Sequence, residues 1–551
     1  MSFVHTFFAR MEEHPTKPLV REVHGTTRVD STGRQLAQLV ARARSGIRAR
    51  GAVGDRAVLL APNAIRWVAC DLALLAEGRV VVPMYARQDP AELVAMMHDC
   101  SPTLVVVATE ELAEGVRQHW PDAPLVTFEE LFAHPPTEEP PHPWRADDDV
   151  TIIYTSGTSG TPKGVVYTVA NVDFMLPKTA EAIASMMALG GPVDGDDKVF
   201  HYLPFCFAGS RIVLWTCLLR GNGIMVSTDL DNLAQELGTA APHYFLNVPM
   251  LLERIKAGVE KNLRAQPAPV RWLVRRATTA YARQQRGRRD RLALALAHRL
   301  VFAEVRARIG ADLRCLICGS APLASGTQRW FQMLGIPVYQ VYGLTETTAI
   351  VTMDRPPSVR AGRVGRALDG VETRLGEGDE LLVRGPNVFD RYWERPEATA
   401  EAFDDGWFRT GDQAEVDPDG TWRIVGRVKN LLVPTSGHNV APEPLEQKLL
   451  GAIDGAEQVV VVGHGRPWLG ALVYGEGLTD AALQAGLEEV NAALPHYRRV
   501  RRAHRLPTAL TIDDGMLTAN RKLRRRQIEL HYASAIDAMY ARKGAERAST
   551  K

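Results

Sequence analysis

Nowhere in the 551 residues is there an uninterrupted apolar stretch long enough to span a bilayer. The N-terminus, MSFVHTFFARMEEHP, has no basic start followed by a long apolar run, so no secretory leader is read and a cytoplasmic location is expected. An excess of one charge is also lacking. Lys and Arg number 65 against 64 Asp and Glu, a formal charge of +1, which removes any global electrostatic case for nucleic acid or a strongly acidic partner. Cysteine is scarce and scattered: Cys70, Cys100, Cys206, Cys217, Cys315 and Cys318 all sit in apolar surroundings. Cys315 and Cys318 have CxxC spacing, but no second pair or histidine cluster accompanies them, so buried thiols are expected rather than a metal or redox site. No repeat of solenoid length is visible. What remains is an ordinary globular composition on a chain long enough for about two to four domains.

The first half reads as strand–helix units. Residues 56–61 (RAVLLA), 79–85 (RVVVPMY) and 103–107 (TLVVV) are short apolar strands, with helix-like runs through Leu75 and over 90–99 between them. Fully apolar strands alternating with helices predict parallel sheets covered on both faces. Residues 133–146, rich in Pro and acid, predict a surface linker. The alternation resumes from about 198 to 350. Over 360–425 it gives way to short strands, such as 380–383 and 421–425, between Gly and Asp turns, which predict a small β-rich subdomain. A compact α+β tail follows Gly426, with Gln458–Val462 its clearest strand.

Residues 271–308 stand out by carrying eleven arginines against two acids, with apolar residues at helical spacing from Leu292 to Val305. A solvated basic helix face is one reading. A patch that meets an anionic lipid surface, or the phosphates of a ligand, is the other. No interleaved aromatic pattern supports nucleic acid.

The most informative stretch is YTSGTSGTPKG, residues 154–164, directly after the β-branched run 150–154. Glycines allow close approach and positive φ, hydroxyls and backbone N–H groups donate, and Lys163 supplies charge, which together describe a phosphate cradle. It is not the P-loop, because no Gly-Lys-Ser/Thr ends the spacing. In residue order it resembles the nucleotide-phosphate loop of the adenylate-forming superfamily, which includes acyl-CoA synthetases, firefly luciferase and nonribosomal-peptide adenylation domains. The resemblance assigns Thr155, Ser156, Gly157, Thr158, Ser159, Gly160 and Lys163 to ATP phosphate binding.

Further segments are similar to the same superfamily in the same order, from about residue 50 to 540. In Val341-Tyr342-Gly343-Leu344-Thr345-Glu346-Thr347 the resemblance makes Tyr342 and Gly343 part of the adenine site. It gives Thr345 a bond to the α-phosphate and Glu346 the Mg²⁺, a metal that prefers oxygen ligands. Gly319-Ser320-Ala321-Pro322 is similar to the segment that lines the adenine pocket. Asp412, in Trp407-Phe408-Arg409-Thr410-Gly411-Asp412, resembles the ribose-binding aspartate, Arg427 the arginine near ribose and phosphate, and Lys429 the hinge residue. Lys522, in Gly515-Met516-Leu517-Thr518-Ala519-Asn520-Arg521-Lys522, resembles the mobile catalytic lysine, although Ala519 stands where the family commonly has Pro. Around it, Arg521, Arg524, Arg525 and Arg526 read as a basic surface.

The resemblance implies an α/β fold. Its large N-terminal domain, 1–426, would hold two parallel-sheet subdomains (about 1–197 and 198–355) and a small β-barrel-like one (356–425). A small mobile α+β C-terminal domain, 427–551, would follow. It also implies ATP-dependent formation of an acyl-adenylate, with Lys522, Glu346 and Thr345 as the catalytic group, and then transfer to the thiol of CoA or of an acyl carrier protein. Within residues 203–211 (LPFCFAGSR), Phe207 and Ser210 replace the histidine and glutamate usual in long-chain acyl-CoA synthetases. No acid lies between His201 and Arg211 to pair with a substrate ammonium, which argues against an amino-acid substrate. Residues 245–259, 435–442, 465–473 and the closing helix to Tyr540 are similar to long-chain acyl-CoA synthetases, so a long-chain fatty acid is expected. Aryl and other acids are the alternatives.

Overall fold

The computed structural model describes residues 2–155, 162–189, 191, 195–283, 287–438, 440–518 and 522–541. Runs of Val, Ile and Leu build the first sheet. Val80–Met84 and Leu104–Val107 are buried at every position, as befits parallel strands covered on both faces. Its six strands lie in the order Leu125–Thr127, Leu104–Val107, Arg56–Leu60, Val80–Met84, Asp149–Thr155 and Lys163–Thr168. Neighbours are parallel except the last two, which pair antiparallel with Thr155 opposite Lys163.

The second sheet has nine strands, parallel at its centre. The order is Arg366–Ala367, Thr352–Met353, Val338–Tyr342, Leu316–Cys318, Tyr244–Asn247, Val199–His201, Ile224–Ser227, Pro18–His24 and Thr27–Thr32. The N-terminal hairpin therefore belongs here, with Val20 beside Ile224, and a subdomain cut at about residue 197 does not follow the sheets. Residues 372–427 contribute a five-stranded sheet, and Gln458–Val462, Leu469–Tyr474 and Val500–Arg505 a three-stranded one. The chain divides into two compact units: Met1–Thr373, Val383–Arg409 and Asp417–Trp422 form one, and Arg374–Leu382, Thr410–Val416 and Arg423–Lys551 the other. No helix among the described residues is long and apolar enough to cross a membrane. All six cysteines are buried and free, and burial pushes the Cys206, Cys217 and Cys315 thiols up to about 12, which suits the expected inert role.

Helix Ala208–Leu219 is buried on nearly every side, yet carries a guanidinium. Arg211 donates to Asp71, on helix Ile65–Ala76, and to Thr151 in the first sheet, and lies 4.3 Å from the centre of the Trp215 ring. Trp215 Nε1 donates to the other Asp71 oxygen at 3.0 Å. Burial raises the Asp71 carboxyl and lowers the Arg211 guanidinium from their ordinary values, while their mutual attraction opposes both shifts. Arg211, the last residue of the 203–211 segment, is a fully enclosed structural cation.

Arg211→Met strands the Asp71 carboxylate and is expected to lower stability by about 3–5 kcal/mol. Adding Asp71→Leu should restore most of that loss in denaturant unfolding. A double variant as unstable as the single one would show that the pair does more than neutralise itself. Asp354 provides a pH test. It is buried, its Oδ2 accepts from the Gln340 N–H at 2.9 Å, and burial pushes its carboxyl from 3.8 up to about 7. The unfolded chain loses this proton near pH 4 while the folded chain keeps it, so stability falls as pH rises from about 4 to about 7. Asp354→Asn should remove that slope, melting higher than the wild type at pH 8 and equally near pH 4. Parallel melting curves across the range would refute it.

Candidate active site

The strands Asp149–Thr155 and Lys163–Thr168 carry the two ends of the expected phosphate cradle. Thr155 and Lys163 face each other across it, and Thr155 Oγ1 donates to the Lys163 carbonyl at 3.5 Å. Ser156, Gly157, Thr158, Ser159 and Gly160 lie outside the described residues. A strand follows the loop rather than a helix, which separates it from P-loop geometry. Residues 391–393 run beside the returning strand, with Val166 N–H donating to the Arg391 carbonyl and Trp393 N–H to that of Gly164. A Cβ on Gly164 would sit 2.6 Å from Ile152 and 3.2 Å from Trp393, so glycine is what lets these backbones approach.

Strand Val338–Tyr342 ends on the expected adenine-site tyrosine and delivers a short 3₁₀ turn, Thr345–Thr347. Gly343 has no room for a side chain, since a Cβ would collide with the Ala349 backbone. Thr348 and Ala349 hold left-handed φ of 48° and 79°. Such strain persists where surroundings over-determine it, and here they do. Asn387 Nδ2 donates to the Ile350 carbonyl at 3.0 Å, and Thr348 Oγ1 to the Asn387 carbonyl at 2.8 Å. Asn171 Nδ2 in turn donates to the carbonyls of Pro386 and Val388. Thr345 has its carbonyl bound by the Tyr167 hydroxyl at 2.5 Å, and Glu346 has its own bound by the Phe389 N–H at 2.9 Å.

One contact joins the cradle to this segment. The Tyr392 hydroxyl donates to Glu346 Oε1 at 2.9 Å, while Lys163 Nζ lies 5.0 Å from the centre of the same ring. Thus Lys163, Thr345 and Glu346 are brought together through Tyr167 and Tyr392, neither of which the motifs singled out. Gly319 also converges here. It packs so closely on Val341 that a Cβ would lie 2.7 Å from Cγ1, which sets Ser320, Ala321 and Pro322, all exposed, next to the strand of Tyr342. Ser320 holds φ 68°, a second strained position.

The other unit holds the remaining residues. Gly411, at φ 68°, lets the chain turn so that buried Asp412 meets Arg427, Nε to Oδ1 at 2.8 Å. Arg427 also donates to the Thr410 carbonyl at 3.1 Å. Lys429 is exposed on the turn Val428–Asn430. Lys522 is exposed on a small hairpin closed by Leu517 and Leu523, next to residues 519–521, which lie outside the described residues. Arg525 corrects the reading of that region as plain basic surface. Its guanidinium is half-buried and bidentate to Glu446, at 2.7 and 2.6 Å, and so fastens the hairpin to helix Glu443–Ala452.

No group of three His, Cys, Asp or Glu side chains among the described residues could hold a metal. A single carboxylate, Glu346, suits Mg²⁺, which keeps several waters and takes phosphate oxygens, and does not suit zinc. Around the expected acid pocket, Phe207 meets Tyr85 at 5.8 Å, and His201 is buried and stacked on Phe205. Burial pushes the His201 imidazole down to about 4, so it is neutral at ordinary pH.

A profile described as AMP-binding enzyme matches residues 7–393, and one described as AMP-binding enzyme C-terminal domain matches 429–544. A long-chain-fatty-acid–CoA ligase of Mycobacterium bovis is 29% identical over 541 residues, covering 88% of each chain. Among solved structures, the anthranilate CoA ligase AuaEII in complex with anthranoyl-AMP superposes with a TM-score of 0.76 at 17% identity, over 97% of this chain and 98% of that one. ATP-bound MatB from Rhodopseudomonas palustris does so with 0.74 at 23%, over 97% and 100%. At these identities the structures establish the α/β fold, with its large N-terminal part and a C-terminal part built on a small sheet.

Tyr392→Phe keeps the ring under Lys163 but removes the donor to Glu346. One hydrogen bond to a charged group is worth roughly 1.5–3 kcal/mol, so Mg²⁺-dependent ATP binding should weaken about tenfold or more in calorimetry, with the melting temperature nearly unchanged. An unaltered Mg²⁺ dependence would leave Tyr392 a purely structural residue.

Proposed function

The chain belongs to the AMP-binding enzyme family, and on that footing we propose that it is a long-chain fatty acid–CoA ligase. A carboxylate is a poor acyl donor because its oxygen is a poor leaving group. Attack of that oxygen on the α-phosphorus of ATP forms an acyl-adenylate and releases pyrophosphate. The CoA thiol, losing its proton, then attacks the adenylate carbonyl and expels AMP, leaving the thioester. The name of the Mycobacterium bovis relative, matched over 88% of both chains, supports the acid and the thiol.

The observation that carries the reading is the Lys163–Tyr392–Glu346 arrangement, a cation and a carboxylate set on two parts of one ring at the mouth of a hydroxyl- and glycine-rich loop. We assign Lys163 and residues 155–160 to the phosphates, and Tyr342, Gly343 and residues 319–322 to adenine. Thr345 goes to the α-phosphate and Glu346 to Mg²⁺. When bound, that ion would neutralise charge on the phosphate oxygens. Asp412, held by Arg427, suits a ribose, because a carboxylate can accept from both ribose hydroxyls. Lys429 is assigned the hinge. Lys522 is assigned the lysine that offsets negative charge where carboxylate meets phosphorus, a preorganised donor worth roughly 3–4 kcal/mol.

The deciding experiment is a panel of free acids with ATP, Mg²⁺ and CoA, read by mass spectrometry. Long-chain acyl-CoA and AMP are the expected products. Turnover only of aryl acids, or only with a phosphopantetheinyl carrier protein, would reassign the acid or the thiol. Lys522→Ala should abolish adenylate formation, by about a hundredfold or more, yet leave thioester formation from supplied acyl-adenylate intact. Equal loss in both half-reactions would remove Lys522 from this role.

A further inference from the structure

The ring that separates Lys163 from Glu346 belongs to a short strap, residues 391–395, whose far end is held by a carboxylate that no motif marks. Asp99 lies on the last turn of helix Pro90–Cys100. Its Oδ2 accepts from the Tyr154 hydroxyl at 2.6 Å, and its Oδ1 from the Arg395 guanidinium. Tyr154 directly precedes Thr155, where the strand runs out towards the expected phosphate cradle, and Arg395 follows Tyr392 by three residues. Burial first, then Cys100 and Asp99, hold the Tyr154 phenol above its usual range, so it stays a donor. Helix, cradle strand and strap thus meet at one carboxylate. A second tie joins the same helix end to the strap. Arg56 donates to the carbonyls of Cys100 and Ser101, both at 2.9 Å, where a helix end leaves its carbonyls without partners. The same guanidinium lies 5.2 Å from the centre of the Trp393 ring.

Between Arg395 and Tyr392 the strap is stiff. The Arg395 N–H donates to the Tyr392 carbonyl at 3.4 Å. The Thr399 hydroxyl accepts from the Tyr392 N–H at 3.0 Å and donates to the Arg395 carbonyl at 2.8 Å. Glu394, between them, holds a left-handed φ of 48°, a conformation that persists only where its surroundings over-determine it. A shift at Arg395 is therefore passed on to Tyr392 instead of being absorbed by a loose loop. The Arg395 side chain is 38% exposed, and ion pairs at that exposure contribute little to overall stability. What the pair does is place the strap.

We propose that Asp99 and Arg395 are positioning residues, which set Tyr392 between Lys163 and Glu346 so that cation and carboxylate stay apart for the magnesium complex of a nucleoside triphosphate. This rests on the assignment of Lys163 to phosphate and Glu346 to Mg²⁺. The test is calorimetric ATP binding by the full-length protein across a Mg²⁺ titration, with melting temperatures measured alongside. Arg395→Gln should weaken Mg²⁺-dependent ATP binding about tenfold, as Tyr392→Phe does, at a nearly unchanged melting temperature. Arg395→Lys, which keeps a cation for Asp99, should recover most of the loss. The double variant Arg395→Gln/Tyr392→Phe should bind no more weakly than Tyr392→Phe alone, because a positioning group acts only through the group it positions. Asp99→Asn keeps the side-chain shape and carries the test if Arg395→Gln fails to fold. Loss in Tyr392→Phe with wild-type binding in Arg395→Gln and Asp99→Asn overturns the proposal and leaves the role of Tyr392 standing. So does a double variant whose loss is the product of the two single losses. If Tyr392→Phe also keeps the wild-type Mg²⁺ dependence, the assignment of Glu346 falls together with the strap.

Discussion

A buried guanidinium is the constraint around which the candidate site of the larger unit is arranged. Arg211 can remain charged out of water only while Asp71, Thr151 and the Trp215 ring keep their places. Thr151 lies on the strand that runs out to Thr155, and the residue opposite it on the returning strand is Tyr167. Tyr167 is itself buried. Burial first, and the Glu346 carboxylate second, hold its phenol well above the usual range. It therefore stays a donor and reaches the Thr345 carbonyl. A charge that cannot move thereby fixes both strands flanking the proposed phosphate cradle and the backbone of the segment that carries Glu346.

The second device is a set of asparagines acting as spacers between distant pieces of backbone. Asn171, at the start of helix Val169–Ala188, completes a capping box with Thr168, and its amide group still reaches two carbonyls near residue 387. Asn387 then holds the strained turn at Thr348 and Ala349. Left-handed φ at non-glycine residues is unfavourable by about 1–3 kcal/mol each. The buried amide bonds offset that strain, and the turn in return presents Thr345 and Glu346 at the end of a strand.

Much of this was legible because local chemistry decided it. Apolar runs such as residues 79–85 could only be buried strands, and the hydroxyl–glycine–lysine order of 154–164 and the 341–347 segment pointed to the two segments that Tyr392 links, through Lys163 and Glu346. What was not legible depends on residues brought together from far apart. Nothing in Phe389–Asp390–Arg391–Tyr392 announces that its tyrosine stands between a lysine and a glutamate that both lie far upstream in the chain. The N-terminal hairpin joins the second sheet through partners near residue 224, a choice made by packing. Arg525 looked like a surface charge, and nothing in the sequence marked Arg211 as buried. Composition does not show whether an arginine has a carboxylate waiting for it, and both have one.

Tyr392 also resolves a difficulty that any site using opposite charges must face. Lys163 and Glu346 are assigned to phosphate and metal, and each is useful only if it has not already neutralised the other. A direct contact at 4 Å would be worth roughly 4 kcal/mol at an effective dielectric of 20, all of which a ligand would have to overcome. Lys163 makes no ion pair among the described residues, and its ammonium rests 5.0 Å from the centre of an aromatic ring. A cation over a buried ring such as that of Tyr392 gains about 2 kcal/mol, enough to hold a flexible side chain in place and still less than a direct ion pair would cost a ligand to break. Glu346 is held at the other end of that ring by a phenol, a neutral donor that orients the carboxylate without cancelling its charge. The ring is therefore a spacer between charges, and it keeps both available for a ligand that carries the complement of each.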